Sequence, residues 1–212
     1  MATVQDDFDL EERLRQPARG EPVWLLAKQF PHQGNWTVDE YLALVTDGLV
    51  EYVDGCLEFP PVPTKTHARV LRFLFELLRA CVDARGLGET FSSGYPVKIA
   101  NDRFREPDVV CVLNHQQTAA GEQFAGAADL VVEVVSRNDP NRDWVTKKAE
   151  YAAAGIPEYW IADPRDKTLT IFTLDDGATE YREAGRYQEG ETARSILLDG
   201  LTVDVTAVFA TE

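Results

Sequence analysis

The chain has 212 residues, 44% of them hydrophobic, and a formal net charge of −15. That length suits one compact domain with its own core, and the hydrophobic share excludes a disordered chain. The acidic balance excludes broad, non-specific nucleic-acid binding, which needs a basic footprint to displace counterions.

Residues 1–20 are polar and charged and lack an apolar secretory core, so they read as a flexible N-terminal arm. Residues 21–212 read as a single domain. No apolar run is long enough to span a bilayer as a helix, so a cytoplasmic protein with no membrane partner is expected. Cys56, Cys81 and Cys111 lie in apolar surroundings without metal-ligand spacing and read as reduced core residues.

Thr37-Val38-Asp39-Glu40 is a capping box, with Tyr41, Leu42, Leu44 and Val45 as the face of the helix that follows. Val50 to Leu57 alternates around Asp54-Gly55, a hairpin signal, and Pro60, Pro61 and Pro63 then break regular structure. The apolar spacing of Val70, Leu71, Leu74, Leu77, Leu78 and Cys81 predicts an amphipathic helix over 67–84, ended at Gly86-Leu87-Gly88. Strands are expected near Glu89–Phe91 and Tyr95–Ile99, then from Asp108 and around Glu133, with 114–128 as a long hairpin loop. Arg142 to Ala154 reads as a helix closed by Gly155, followed by a strand over Glu158–Ala162. That strand, helix, strand order predicts a parallel crossover unit. Short strands and turns over 168–209 are expected to extend the sheet at an edge.

The chemistry concentrates at three places. Val131-Val132-Glu133-Val134-Val135 reads as a strand buried on both faces, with a carboxylate in its middle. Such a carboxylate needs a pairing cation, a proton or a metal. Pro107-Asp108 opens the apolar run Val109 to Leu113, and Asp143, Lys147 and Tyr151 follow at fourfold spacing on a helix. Two acids on neighbouring strands can share one hard cation such as magnesium, and a lysine beside them can stabilise charge developing on a phosphate. Asp143 either positions Lys147, binds metal, or forms a surface pair, and Tyr151 reads as core. Lys148 reads as solvated. Lys98, Arg103, Arg105, Arg137, Arg142, Lys147 and Lys148 flank these motifs as a local basic rim or as separate surface charges.

Taken together, these residues resemble the Uma-two (Uma2) family of PD-(D/E)XK, restriction-endonuclease-like endonucleases. The resemblance rests on Glu51-Tyr-Val-Asp-Gly55, His67 opening a helix, Pro107-Asp108, Asp129-Leu-Val-Val-Glu133-Val-Val-Ser136, Arg142-Asp143, Lys147, Tyr151, Gly155-Ile-Pro-Glu-Tyr159-Trp160 and Asp163-Pro164. It implies an α/β (α+β) fold with a central mixed β-sheet flanked by helices, and a magnesium- or manganese-dependent nuclease site. By position, Asp108 and Glu133 would be metal ligands and Lys147 the catalytic cation. The lysine usual two residues after the glutamate is Val135 here, so that role falls to the helix. Glu51, His67, Asp143 and Tyr151 are accessory candidates. Glu51 reads as an exposed strand residue, with approach to the metal as the alternative, and His67 as a packing or hydrogen-bonding residue. DNA is the expected substrate and a homodimer a candidate assembly. A non-catalytic binding module of the same fold and a hydrolase of a small phosphorylated substrate are the competing readings.

Overall fold

The computed structural model describes residues 30–44 and 48–210, with the backbone alone at 117–119. The expected arm at 1–20 and Val45 of the first helix lie outside the described residues.

A short helix α1 (Val38–Leu42) starts at the capping box: the Thr37 hydroxyl accepts from the Glu40 amide and the Glu40 carboxylate accepts from the Thr37 amide. Strands β1 (Glu51–Val53) and β2 (Cys56–Glu58) form the expected hairpin. Its turn has φ of 48° at Asp54 and 81° at Gly55. Positive φ at both central residues matches the twist of a two-residue hairpin, and Asp-Gly tolerates it. The long helix α2 (Lys65–Val82) buries Val70, Leu74, Leu78, Cys81 and Val82 along one stripe.

After α2 come β3 (Gly88–Ser92), β4 (Val97–Ala100), β5 (Arg103–Arg105), β6 (Val109–Leu113) and β7 (Leu130–Val134). Gly88 is required by close approach, since a Cβ there would lie 2.2 Å from the Val112 carbonyl oxygen across the β3–β6 pair. The link from β6 to β7 is the expected hairpin connection, and it carries a 3₁₀ turn over Asn114–Ala119. A π-helical stretch (Arg142–Lys147) leads into α3 (Lys148–Ala153), closed by Gly155 at φ 76°. The chain then adds β8 (Glu158–Asp163), β9 (Thr168–Thr173), β10 (Arg182–Gln188), β11 (Thr192–Arg194), β12 (Thr202–Asp204) and α4 (Val205–Phe209).

The main sheet has six strands in the order β10-β9-β8-β7-β6-β3. Only β7 and β8 pair in parallel, as the crossover pattern predicts, so the sheet is mixed. One face carries α2, the β11–β12 ribbon and α4 over Val109, Cys111, Leu130, Val132 and Trp160. The other carries α3 through Tyr151 and Ala152, which pack with Val131, Tyr159 and Ile161. Each aliphatic side chain so buried contributes about 1.5–3 kcal/mol relative to exposure. β1, β2, β4 and β5 form a separate four-stranded sheet whose core, Tyr41, Tyr52, Leu57 and Phe104, sits under α1.

The C-terminal third extends the sheet edge through β9 and β10, as expected, and also ends in a helix that turn-rich sequence does not announce. All three cysteines are free; Cys81 and Cys111 are buried and Cys56 half-buried. Among the described residues no helix is long and apolar enough to cross a membrane.

Candidate active site

The two strand acids are placed by one hairpin. Val109 pairs with Val132, so Asp108 and Glu133 follow one step further along adjacent antiparallel strands. Pro107, lacking an N–H, precedes the strand and leaves no ladder bond unmade. Asp108 then reaches across: its Oδ2 accepts from the Val134 amide at 2.7 Å. Strand alternation sends Val132 and Val134 to the α2 face and Glu133, with Val131 and Val135, to the α3 face.

On that face Glu133 meets the helix. Lys147 Nζ lies 2.8 Å from Glu133 Oε1, and the Tyr151 hydroxyl donates to the same oxygen at 2.6 Å. Glu133 and Lys147 are each only 4% exposed, so neither charge is screened by bulk water. Burial raises the Glu133 carboxyl against the pull of Lys147, and the neighbouring Asp143, Asp108 and Glu51 charges leave it at about 8. Burial likewise lifts Asp143 to about 6, again against Lys147 and with help from Asp108. Burial disfavours the Lys147 cation, but Glu133, Glu51 and Asp143 outweigh it and hold its pKa above the ordinary value.

The helical spacing predicts Asp143, Lys147 and Tyr151 as one α-helical stripe. The structure corrects this: residues 142–147 are π-helical, a wider turn common at functional sites. Lys147 accordingly pairs with Glu133 and Glu51 and not with Asp143, so the surface pair weighed for Asp143 does not form. Asp143 is buried, and among the described residues no donor bonds its carboxylate. Tyr151 is core, as expected, and also supplies the hydroxyl on Glu133.

Glu51 overturns the expectation of an exposed strand residue: it is completely buried. Its carboxylate accepts from Arg105 at 2.7 Å and from Arg142 at 2.5 Å, and Lys147 Nζ stands 3.0 Å away. Burial alone would raise it, but Lys147, Arg105 and Arg142 bring it down to about 2. Glu51 and Glu58 lie directly opposite in the β1–β2 hairpin, a repulsive arrangement by itself. The Arg105 and Arg142 guanidiniums each bridge both carboxylates and reverse the sign. Arg105 also forks onto Glu150 of α3 at 2.8 and 2.9 Å, joining the small sheet to the helix.

These pairs also answer the question of a basic rim. Arg103, Arg105, Arg142 and Lys147 are committed to internal carboxylates, with Arg103 on Asp54 and Glu150. Lys148 is not simply solvated, since its ammonium stands 4.1 Å above the Phe172 ring. Arg137 is exposed at the cleft.

His67, in the first turn of α2, places Nε2 3.3 Å from Asp108 Oδ2. Burial opposes its protonation, but the bonded Asp108 holds its pKa above the ordinary value. It fits the hydrogen-bonding role read from its position. Tyr159 and Trp160 of β8 are fully buried.

The groups open into a cleft of about 270 Å³ whose lining includes Asp108, Glu133, Asp143, Lys147, Glu51 and His67. Pro60 to Pro63 form an apolar wall at its mouth. Sequence reasoning missed Glu106 in that lining, and it did not foresee that Arg105 is buried behind Glu51. The alternation Arg103-Phe104-Arg105 immediately before Glu106-Pro107-Asp108 was the available signal, and Phe104 at its centre is fully buried.

Among the described residues no three His, Cys, Asp or Glu side chains converge into a ready-made metal cluster. Magnesium does not require one, because it is commonly held by one or two carboxylates and keeps several waters. The donor set fits: hard oxygens from Asp108 and Glu133 lie beside Asp143, whose buried carboxylate lines the cleft without a protein donor. Burial, with the neighbouring acids adding to it, pushes the Glu133 and Asp143 carboxyls up, and a bound cation would favour their charged forms.

The chain is similar to known proteins in family and in fold. The Uma2 family model, described as "Putative restriction endonuclease", matches residues 38–206. No curated protein matches the chain. A crystal structure from Anabaena variabilis ATCC 29413, described as "a putative nuclease belonging to DUF820", is similar in fold, with a TM-score of 0.66 at 16% identity. The likeness covers 82% of this chain and 97% of that one.

Proposed function

The chain belongs to the Uma2 family, and on that premise we propose that residues 21–212 form a divalent-metal-dependent endonuclease domain that hydrolyses DNA phosphodiester bonds. The observation that carries the reading is the Lys147 ammonium 2.8 Å from Glu133 in a cleft that Asp108 and Asp143 also line. Asp108 and Glu133 would hold magnesium or manganese, with Asp143 as an accessory carboxylate. The ion supplies Lewis-acid stabilisation of phosphoryl charge and a lowered water pKa.

The protein groups act around it. Lys147 donates hydrogen bonds to the phosphate oxygens as negative charge builds during attack by water at phosphorus. Tyr151 holds Glu133 in one rotamer through its 2.6 Å hydrogen bond. Glu51, kept anionic by Arg105 and Arg142, is a second anionic partner that helps fix the Lys147 ammonium. His67 orients the Asp108 carboxylate.

The test is incubation of purified protein with supercoiled plasmid and magnesium or manganese, alongside calorimetric titration of each metal. Wild type should nick the plasmid and bind metal, and Glu133→Gln should do neither to the same degree. Equal behaviour of the two proteins ends this reading.

A hydrolase of a small phosphorylated substrate is the second reading. It is favoured by the commitment of Arg105 and Arg142 to internal carboxylates, which leaves little cationic surface for a duplex backbone. Turnover of nucleotides in preference to DNA would select it.

A further inference from the structure

Beside the catalytic cleft lies a second recess of about 430 Å³, within the size range of small-ligand sites. The two are contiguous, for Leu49, Ser93 and Glu106 line both. Its lining is mixed, with Ser93 and Gln123 beside Tyr41 and Glu106. Tyr41 is only 6% exposed, yet among the described residues its hydroxyl has no hydrogen-bond partner. Glu106 Oε2 is also buried at the atom and equally unpartnered. Both residues line the recess, whose apolar walls include Leu42, Leu44 and Pro96.

Unmade hydrogen bonds at buried polar atoms are costly and call for an explanation. The Tyr41 ring is held by Tyr52 at 5.4 Å and Phe104 at 5.5 Å, so its hydroxyl is presented by a packed core. Glu106 is held by its own backbone, since its amide donates to Glu51 Oε1 at 3.2 Å. The recess therefore offers a phenolic donor and a carboxyl acceptor on fixed supports, between apolar surfaces.

We infer that this recess is a nucleobase subsite, which takes an unstacked base of the substrate strand next to the phosphate held at Glu133 and Lys147. The inference rests on the reading of the cleft as a nucleic-acid-cleaving site. Each nucleobase presents a ring acceptor or carbonyl oxygen next to an N–H on its Watson–Crick edge. The acceptor complements the Tyr41 hydroxyl and the N–H complements Glu106 Oε2. The flat ring suits the apolar walls, and reading a base this way requires it to leave the stack. A phosphodiester bound in the cleft carries such a base into the adjoining space without a further linker.

The experiment is calorimetric titration of the full chain carrying Glu133→Gln, which prevents turnover. The probes are dAMP, dCMP, dGMP and TMP against deoxyribose 5-phosphate, in magnesium. At least one nucleotide should bind about tenfold more tightly than the base-free sugar phosphate, the scale of one good hydrogen bond. Tyr41→Phe, which keeps the packed ring, and Glu106→Leu should each reduce that advantage several-fold and leave deoxyribose 5-phosphate unaffected. If no nucleotide exceeds deoxyribose 5-phosphate, or if both variants keep the full advantage, the inference is overturned. Plasmid cleavage reads the nuclease assignment separately: intact cleavage without base-dependent binding removes only the subsite. Base-dependent binding without any cleavage removes only the nuclease.

Discussion

Lys147 Nζ stands 2.8 Å from Glu133 Oε1, fourteen residues away in sequence, and Val135 lines the same cleft on the strand face that Glu133 occupies. The cation of this site thus comes from the helix after the acidic strand, although the strand itself offers a position facing the same way. The arrangement is buried enough that removing either partner strands the other charge.

That relationship predicts a transfer of function. Lys147→Ala should lower the plasmid-nicking rate by about 10²–10³, the usual loss of one transition-state donor. Val135→Lys in the Lys147→Ala background should restore part of it, because side chains two apart on a strand share a face. Loss of supercoiled plasmid with time in magnesium is the measurement. Folding is monitored by circular dichroism, and no recovery in a folded double variant would refute the shared-face argument.

Metal binding should depend on pH in a stated direction. Glu133 titrates near 8 and Asp143 near 6, so the apo site carries protons that a metal must displace. Affinity for manganese should therefore rise from pH 6 to pH 8, with proton release visible as a buffer-dependent heat in calorimetry. The metal-free protein should show the opposite trend in stability from these two groups. Their folded pKa values exceed the unfolded ones, so the native state binds more protons between the ordinary carboxylate range and about 8. Stability falls as pH rises through that window. A metal-free Tm that increases there would contradict the assignment.

Arg105 is expected to matter for stability before it matters for chemistry. It is 2% exposed and binds Glu51, Glu58 and Glu150. Arg105→Ala leaves buried carboxylates unpaired and should cost about 3–5 kcal/mol, read as a lower urea midpoint. A change under about 1 kcal/mol would mean the network relaxes into water.

Glu158 should govern the attachment of the C-terminal segment. Its buried carboxylate accepts from Trp160 Nε1, the Ser195 hydroxyl and the Ile196 and Leu197 amides, at 2.6–2.8 Å. Glu158→Gln removes the charge and replaces one acceptor with a donor, at a cost on the order of 2 kcal/mol. Hydrogen exchange at Ile196 and Leu197 should speed up while the β7 amides stay protected. Uniform acceleration across both would indicate global destabilisation instead.

Features written in local pattern were readable in advance. The Thr37–Glu40 capping box, the Asp54-Gly55 turn, the stripe from Val70 to Cys81 and the valine strand around Glu133 each follow from the spacing of a few neighbours. The parallel β7–β8 pair followed from a helix lying between two apolar runs. β5 was not foreseen because Arg103 and Arg105 read as a basic rim or surface charges, and the burial of Arg105 depends on acids from three other elements. Glu51 was misjudged for the same reason, since no neighbour in sequence supplies its cations.

The sequence by itself determined which residue types were present and which strand would be buried, because periodicity and the cost of burying charge act over a few positions. It could therefore single out Asp108, Glu133 and Lys147 as a group worth bringing together. Only the tertiary structure decided that Glu51 faces inward, that Arg105, Arg142 and Lys147 are spent on internal pairs, and that the turn carrying Asp143 and Lys147 is π-helical. Those outcomes depend on contacts between distant segments, whose energies exist only after the sheets and helices have packed.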